Sequence, residues 1–296
     1  MSVLERYGWR GPPEAGLARV VGSHGGWCRL VCDEADGAIL ARLKKGAFAH
    51  RASREGAAAG LERTVRCVAG RESERPIAGD FVDFEYNPHG ESFVTGLRPR
   101  FSVLERRESG GRRRSQVLAA NFDTLFVMTS LNADFSVPRV LRFLSLAAEG
   151  RGEARVVVVL TKTDLRKPDD DERIAALRAA AESGGADFLA ISCVAGEGLD
   201  DVRRHCGPGR TIALVGSSGV GKSTLLNALA GREVAAVGEI QEWSGRGRHT
   251  TAARTLTLLP DGTAAIDTPG VREVGVADDA PESAARRAAS HRWREK

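Results

Sequence analysis

No stretch of this 296-residue chain is long and apolar. Its longest uninterrupted hydrophobic run, Val156 to Leu160, falls far short of the roughly 20 residues that a membrane-spanning helix needs, so no membrane role is expected. The first residues, MSVLERYGWRGPPE, lack the apolar core of a secretory signal, and a cytoplasmic location is the expectation. Cysteine is scarce as well: five thiols, at 28, 32, 67, 193 and 206, are odd in number and scattered, which argues for reduced cysteines rather than a disulfide framework. Charge of one sign is also lacking, because 43 basic residues stand against 39 acidic ones for a net +4. A partner with phosphates then depends on where the arginines cluster rather than on the total. What is present is a globular composition, 42% hydrophobic and 28% charged, which excludes wholesale disorder.

His24, Cys28 and Cys32 fall four residues apart, which puts them on one face if they share a strand. Small buried hydrophobes explain the two cysteines better than a metal site, since no second pair of ligands follows.

The pattern changes along the chain. From residue 17 to 107, short alternating runs such as ARVVG, CRLVC, AILARL, TVRCVAG and FVDFEY are broken by Gly, Asp, Asn and Pro, the signature of a small all-β barrel. From about residue 120, TLFVMT, RVVVVL, DFLAIS and TIALVG read as buried parallel strands separated by helical stretches, an α/β sheet. Between the two lies a basic stretch with Arg98, Arg100, Arg106, Arg107, Arg112, Arg113 and Arg114, either a solvated linker or a contact for RNA phosphate. The expected division is residues 1–108, 109–276 and a polar tail from 277 to 296.

The strongest motif is TIALVGSSGVGKSTLLNALAG. Gly216, Ser217, Ser218, Gly219, Val220, Gly221, Lys222, Ser223 and Thr224 follow a strand and open a helix, the context a Walker A phosphate loop requires. Glycines let backbone N–H groups curl round a β-phosphate. Lys222 then neutralises phosphate oxygens, Ser223 binds Mg²⁺, and the helix N-terminus adds partial positive charge.

Downstream, 51 residues after Gly216, DTPG resembles the second phosphate-sensing motif of GTPases, which implies that Asp267 reaches Mg²⁺ through water and that the Gly270 N–H meets a γ-phosphate. A guanine-reading [NT]-K-x-D motif should follow, but the 26 residues after Gly270 supply none. It lies upstream: Thr161, Lys162, Thr163 and Asp164 end the strand RVVVVL, where Asp164 accepts from guanine N1–H and N2–H₂ and Lys162 covers the base plane. A second base-contacting loop is expected at Ser192 and Cys193.

This order, base motifs before phosphate motifs, resembles the circularly permuted GTPases. With the barrel, PIAGDFV at 76–82, LTKTDL, GSSGVGKSTLLNAL, GRGRHTTAAR and DTPGVREVG, it is similar to the RsgA (YjeQ) family of small-subunit ribosome-assembly GTPases over roughly residues 17–276. The fold so implied is an α/β P-loop GTPase domain, circularly permuted, after an all-β OB-fold barrel. The resemblance implies hydrolysis of GTP to GDP stimulated by the small ribosomal subunit, with the barrel on its rRNA, in late assembly; a monomer is expected. The family usually closes with a zinc domain built from three cysteines and a histidine. Here Cys206 is the last cysteine and only His291 lies in the tail, so zinc is not carried over.

After DTPG, Val271 stands where many GTPases place a water-orienting Gln. His249 is the candidate for that task, as the resemblance also implies, and Thr250 or Thr251 is expected to place a hydroxyl on Mg²⁺. Arg246 and Arg248 serve phosphate or RNA. Two other classes stay open: a nonhydrolysing nucleotide-gated RNA-binding module, and a P-loop ATPase or small-molecule kinase.

Overall fold

The computed structural model describes residues 1–24, 26–34, 38–43, 75–107, 115–132, 134–150, 152–235 and 254–268. TVRCVAG, Arg112 to Arg114, Arg246, Arg248, His249 to Thr251, Gly270, Val271 and the tail with His291 lie outside them.

A capped turn of helix α1 (Val3–Arg6) precedes five barrel strands: β1 (Leu17–His24), β2 (Trp27–Cys32), β3 (Ile39–Leu43), β4 (Phe81–Glu85) and β5 (Ser92–Leu97). Their order is β1-β2-β3-β5-β4, closed by β1 against β4, with β3 and β5 the parallel pair. This closed Greek-key barrel is the OB-fold topology. Five strands leave a narrow interior, and small residues fill much of it: Ala18, Cys28, Cys32 and Ala41 are buried with Leu30 and Val82. The spacing argument for a shared face of His24, Cys28 and Cys32 does not hold. The chain reverses between His24 on β1 and Trp27 on β2, so the histidine is on a different strand from the two cysteines. Burial pushes the Cys28 thiol up to about 12, which keeps it a neutral hydrophobe.

The second half reads β8 (Thr124–Ser130), α2 (Val137–Glu149), β9 (Arg155–Thr161), α3 (Asp171–Ser183), β10 (Asp187–Ala190), α4 (Leu199–Arg203), β11 (Thr211–Gly216), α5 (Lys222–Ala230), β12 (Thr255–Leu258) and β13 (Ala264–Asp267), after the hairpin β6 (Val103–Arg107) and β7 (Ser115–Ala120). The sheet runs β10-β9-β8-β11-β13, all parallel, then β12 antiparallel to β13. Helices α2 and α3 cover one face through Val140, Phe143, Leu144 and Leu177, and α4 and α5 the other through Leu199, Val202, Leu225 and Leu226. Parallel strands covered on both faces are apolar through their centres, as Leu125–Met128 of β8, Val156–Leu160 of β9 and Ile212–Val215 of β11 are. DFLAIS departs from that expectation, because β10 is the edge strand and only partly buried. No helix among the described residues is long and apolar enough to cross a membrane.

One expectation about the junction is corrected. The arginine-rich stretch is not a solvated linker at its start: Arg98 pairs with Asp83 and Glu14, and Arg100 with the fully buried Asp80 at 2.7 Å. Their charge is used inside the protein. The α/β core is shared with the barrel. Val21 and Val31 of the barrel pack in one cluster with Leu125, Val127 and Ile266, and β1 continues the sheet by pairing with β12. The expected boundary at residue 108 lies outside the described residues, in the sequence between β6 and β7.

At that junction Arg19 of β1 is fully buried. Its Nε donates to the Gly79 carbonyl (3.1 Å) and its Nη2 to the Asn121 carbonyl (2.7 Å), while its Nη1 reaches the Tyr7 carbonyl and the Thr211 Oγ1. Its guanidinium lies over the Phe81 ring at 4.4 Å. Burial lowers its pKa to about 9, against the pull of Asp123 and Asp80. Gly79 is required there: its φ is +100°, and a Cβ would stand 2.5 Å from the Ala120 carbonyl oxygen. Replacing Arg19 by Met takes a donor from the Tyr7 and Asn121 carbonyls and leaves the Gly79 carbonyl with the Asn121 Nδ2 alone. Arg19→Met is therefore expected to cost about 3 kcal/mol or more of stability, measured by urea unfolding of the full chain.

Candidate nucleotide site

β11 ends in Gly216, and the loop to α5 turns through Gly219 and Gly221 with φ of +76° and +107°, a path that side chains would strain. Gly216 is held against the neighbouring strand, since a Cβ there would come within 2.7 Å of the Met128 carbonyl oxygen. The turn delivers Lys222 to the first position of α5, where Nζ donates to the Gly216 and Ser217 carbonyls at 3.2 and 3.0 Å. Ser217 and Val220 are buried, Ser218 and Gly219 are exposed, and Ser223 and Thr224 are half-buried at the helix start. The first-turn N–H groups of a helix lack intrahelical acceptors, which makes this end a site for anions.

The upstream motif reaches the same loop. Thr161 closes β9 and donates from Oγ1 to the Val220 carbonyl at 2.6 Å; Lys162, held at φ +61°, donates from Nζ to the Gly219 carbonyl at 2.8 Å. Thr163 donates its N–H to the Ile191 carbonyl at 3.2 Å, which ties the end of β9 to the loop after β10. There Ser192, fully buried, donates to a carboxylate oxygen of the exposed Asp164 at 2.6 Å and accepts from the Ala195 N–H. Cys193 is half-buried beside them. Thr161 to Asp164, Ser192, Cys193 and Gly216 to Thr224 are thus brought to one end of the sheet, at the carboxyl ends of β9, β10 and β11.

Asp267 ends β13 next to β11, opposite Leu214. Burial raises its pKa and lowers that of Lys222, and each group's charge counteracts the other's shift. Its Oδ1 is buried with no hydrogen-bond partner. Thr268 follows, buried, and its hydroxyl donates to the Leu214 carbonyl at 2.7 Å, which anchors the end of the strand. Sequence reasoning passed over Thr268, although it is the T of DTPG. An unsatisfied buried carboxylate oxygen beside a buried ammonium, under a loop of backbone donors, fits a Mg²⁺–phosphate group, whose cation Asp267 would face and whose anion Lys222 would hold.

Among the described residues no cluster of three or more ligating side chains occurs, and Cys28, Cys193 and Cys206 are free thiols.

A Walker loop between β11 and α5, with its base-side motif earlier in the chain and β12 antiparallel beside β13, defines a circularly permuted P-loop GTPase fold behind an OB barrel. The model of the RsgA GTPase family matches residues 97–277, and the chain belongs to that family. It is 41% identical over 202 residues to the small ribosomal subunit biogenesis GTPase RsgA 2 of Lactiplantibacillus plantarum, covering 68% of this chain and 55% of that protein. With the RsgA of Methanosarcina acetivorans it shares 38% over 211 residues, 71% of this chain and 56% of the relative. The chain spans about half the length of the curated relatives it matches. Among solved structures, YjeQ from Thermotoga maritima aligns over 92% of this chain and 81% of its own with a TM-score of 0.60 at 23% identity. YloQ, described as a circularly permuted GTPase, aligns over 88% of this chain and 72% of its own at 0.51 and 18%.

Burial and the neighbouring Asp164 carboxylate both raise the Cys193 pKa. The thiolate is the reactive form, so alkylation is disfavoured near neutrality and quickens as pH rises past the ordinary thiol range. Peptide mapping after iodoacetamide treatment should show Cys193 modified slowly at pH 7.5. Asp164→Asn, which removes the repulsive charge, should speed that reaction and shift its pH profile downward.

Proposed function

We propose that this protein is a GTP hydrolase of late small-subunit maturation. It binds the small ribosomal subunit through its rRNA, converts GTP to GDP and phosphate, and works in the cytoplasm as a monomer. The observation that carries the reading is the clasp by which Thr161 and Lys162, adjoining Asp164, hold the Val220 and Gly219 carbonyls of the phosphate loop. It couples the base-reading segment to the phosphate cradle by two short hydrogen bonds. The names of the relatives, small ribosomal subunit biogenesis GTPases, support the same reading.

In this reading Asp164, its carboxylate oriented by Ser192, accepts from guanine N1–H and N2–H₂. Adenine offers no such pair, so ATP is rejected by leaving a carboxylate poorly matched. Lys162 lies over the base, and Thr163 and Cys193 line the same end. Lys222 exchanges its two loop carbonyls for phosphate oxygens, a charge-assisted contact that offsets the cost of burying an ammonium. Backbone donors from Gly216 to Thr224 surround the β-phosphate. Mg²⁺, held by Ser223, by Asp267 through water and by Thr250 or Thr251, would neutralise charge on the β- and γ-phosphates. Gly270 N–H meets the γ-phosphate and His249 orients the attacking water, because Val271 offers neither donor nor acceptor. The working division is residues 1–108 for rRNA contact, 109–276 for the nucleotide and 277–296 as a tail. With Arg98 and Arg100 held in internal ion pairs, rRNA contact falls to other barrel residues.

Asp164→Asn should weaken GTP binding by about 1–3 kcal/mol and narrow the preference over ATP, measured by competition of unlabelled nucleotides. Equal affinity of the native protein for GTP and ATP overturns the reading. His249→Ala should keep nucleotide affinity while lowering subunit-stimulated turnover on the order of 10²-fold. Phosphate release with purified small subunits is the measurement, and unchanged stimulated turnover removes His249 from the mechanism.

A further inference from the structure

Among the described residues, barrel strand β1 pairs with β12 of the nucleotide-binding sheet at one register position. Gly22 of β1 lies opposite Thr255 of β12, and Thr255 in turn lies opposite Asp267 of β13. Thr255 is therefore the cross-strand partner of a barrel residue on one side and of the buried carboxylate on the other. The row extends outward to Arg29 on β2, opposite Gly22, and inward to Leu214 on β11, opposite Asp267. Adjacent strands lie about 4.8 Å apart, so Arg29, exposed on the barrel surface, stands three strands, roughly 15 Å, from Asp267 along the ladder.

Three features of this row belong together. Cross-strand partners project from the same face with Cβ atoms about 4.5–5.5 Å apart, which puts the Thr255 side chain beside that of Asp267. Asp267 Oδ1 is buried and has no hydrogen-bond partner. Gly22 presents no side chain to Thr255, and a Cβ there would meet nothing nearer than the Arg254 carbonyl oxygen at 3.9 Å, so this flank of Thr255 is open. The threonine is half-buried, caught between a sheet edge that belongs to the barrel and a strand that ends in the proposed Mg²⁺ residue.

We propose that Thr255 is a positioning residue: its hydroxyl donates to the free oxygen of Asp267 when Mg²⁺ and nucleotide are bound, and the seating of barrel strand β1 on β12 sets its reach. The inference rests on the reading of Asp267 as the carboxylate that faces Mg²⁺. It gives the barrel a route to the phosphate end that is separate from the chain connection through the β6–β7 hairpin. A partner that pulls on β1 or β2 shifts Thr255, and with it the orientation of one carboxylate. Because β12 and β13 are antiparallel neighbours, that shift needs no rearrangement of the parallel strands.

The test is Mg²⁺ titration of fluorescent mant-GDP binding to the full-length protein and to Thr255→Val, Thr255→Ser and Gly22→Val, each repeated in EDTA, with melting curves for all. Thr255→Val keeps shape and strand preference but loses the hydroxyl. It should need about five- to tenfold more Mg²⁺ for half-maximal binding, with its EDTA affinity unchanged. Thr255→Ser should retain the wild-type midpoint. Gly22→Val alters only the barrel side of the row and should move the midpoint at least threefold. A wild-type midpoint in Thr255→Val, a loss of equal size in EDTA, or a serine variant that behaves like valine overturns the role of the hydroxyl. A wild-type midpoint in Gly22→Val overturns the link to the barrel. Should Thr255→Val not fold, Thr255→Ala, which also lacks the hydroxyl, takes its place with the same expected and overturning outcomes. If Mg²⁺ leaves mant-GDP binding to the native protein unchanged, the reading of Asp267 fails instead, and that outcome is distinct from the others.

Discussion

The guanidinium of Arg19 is the constraint on which the rest of the structure depends. A cation taken wholly out of water costs several kcal/mol unless its donors are matched, and the chain matches these with groups from four separate segments: the end of α1, the Gly79 turn, the strand lead at Asn121 and the start of β11. No one of those segments makes the site alone. The barrel therefore cannot rotate on the α/β sheet without stranding a buried charge, and the pull of Asp80 and Asp123 holds that charge in place. Thr211, one of the partners, opens the strand whose other end is the phosphate loop. The position of the barrel is thus tied by one side chain to the base of β11.

The opposite end of the same sheet carries a different kind of tension. Lys222 and Asp267 are both buried deeply enough that burial pushes each toward its neutral form. Their partners within the protein are two loop carbonyls for the lysine and, for one carboxylate oxygen, nothing. Such an arrangement stores the desolvation cost of two charges where an anion and a cation can relieve it. The clasp of Thr161 and Lys162 holds the loop in shape meanwhile, so that binding need not first order it. One end of β11 is closed by a satisfied cation, and the other is open and unsatisfied.

Much of the site was legible in the residues themselves, because its chemistry is local. The phosphate loop depends on glycines and a lysine within nine positions. TKTD sits at the end of a strand whose burial is written in its valines, and the reversed order of the motifs exposes the permuted connection. The alternation of β1, β2 and β4 likewise predicts a barrel. Reading failed where a residue's meaning depends on distant partners. Arg98 and Arg100 looked like surface charge because Asp83 and Asp80 are 15 and 20 positions away. His24 and Cys28 looked like neighbours on one strand because the reversal between His24 and Trp27 leaves no mark in the four-residue spacing.

Local pattern alone carried the short-range devices: the glycine loop after β11 with its lysine, the TKTD run at the end of β9, the strands that must be buried. These follow from backbone geometry and side-chain chemistry within a few residues. Only the tertiary structure decided that an arginine in β1 is the pin of the whole assembly, that the barrel and the sheet share one core, and that Thr255 stands between Gly22 and Asp267. Those facts rest on pairings across 192 positions in the case of Arg19 and Thr211. Burial and strand register are properties of the closed fold, and no local pattern carries them.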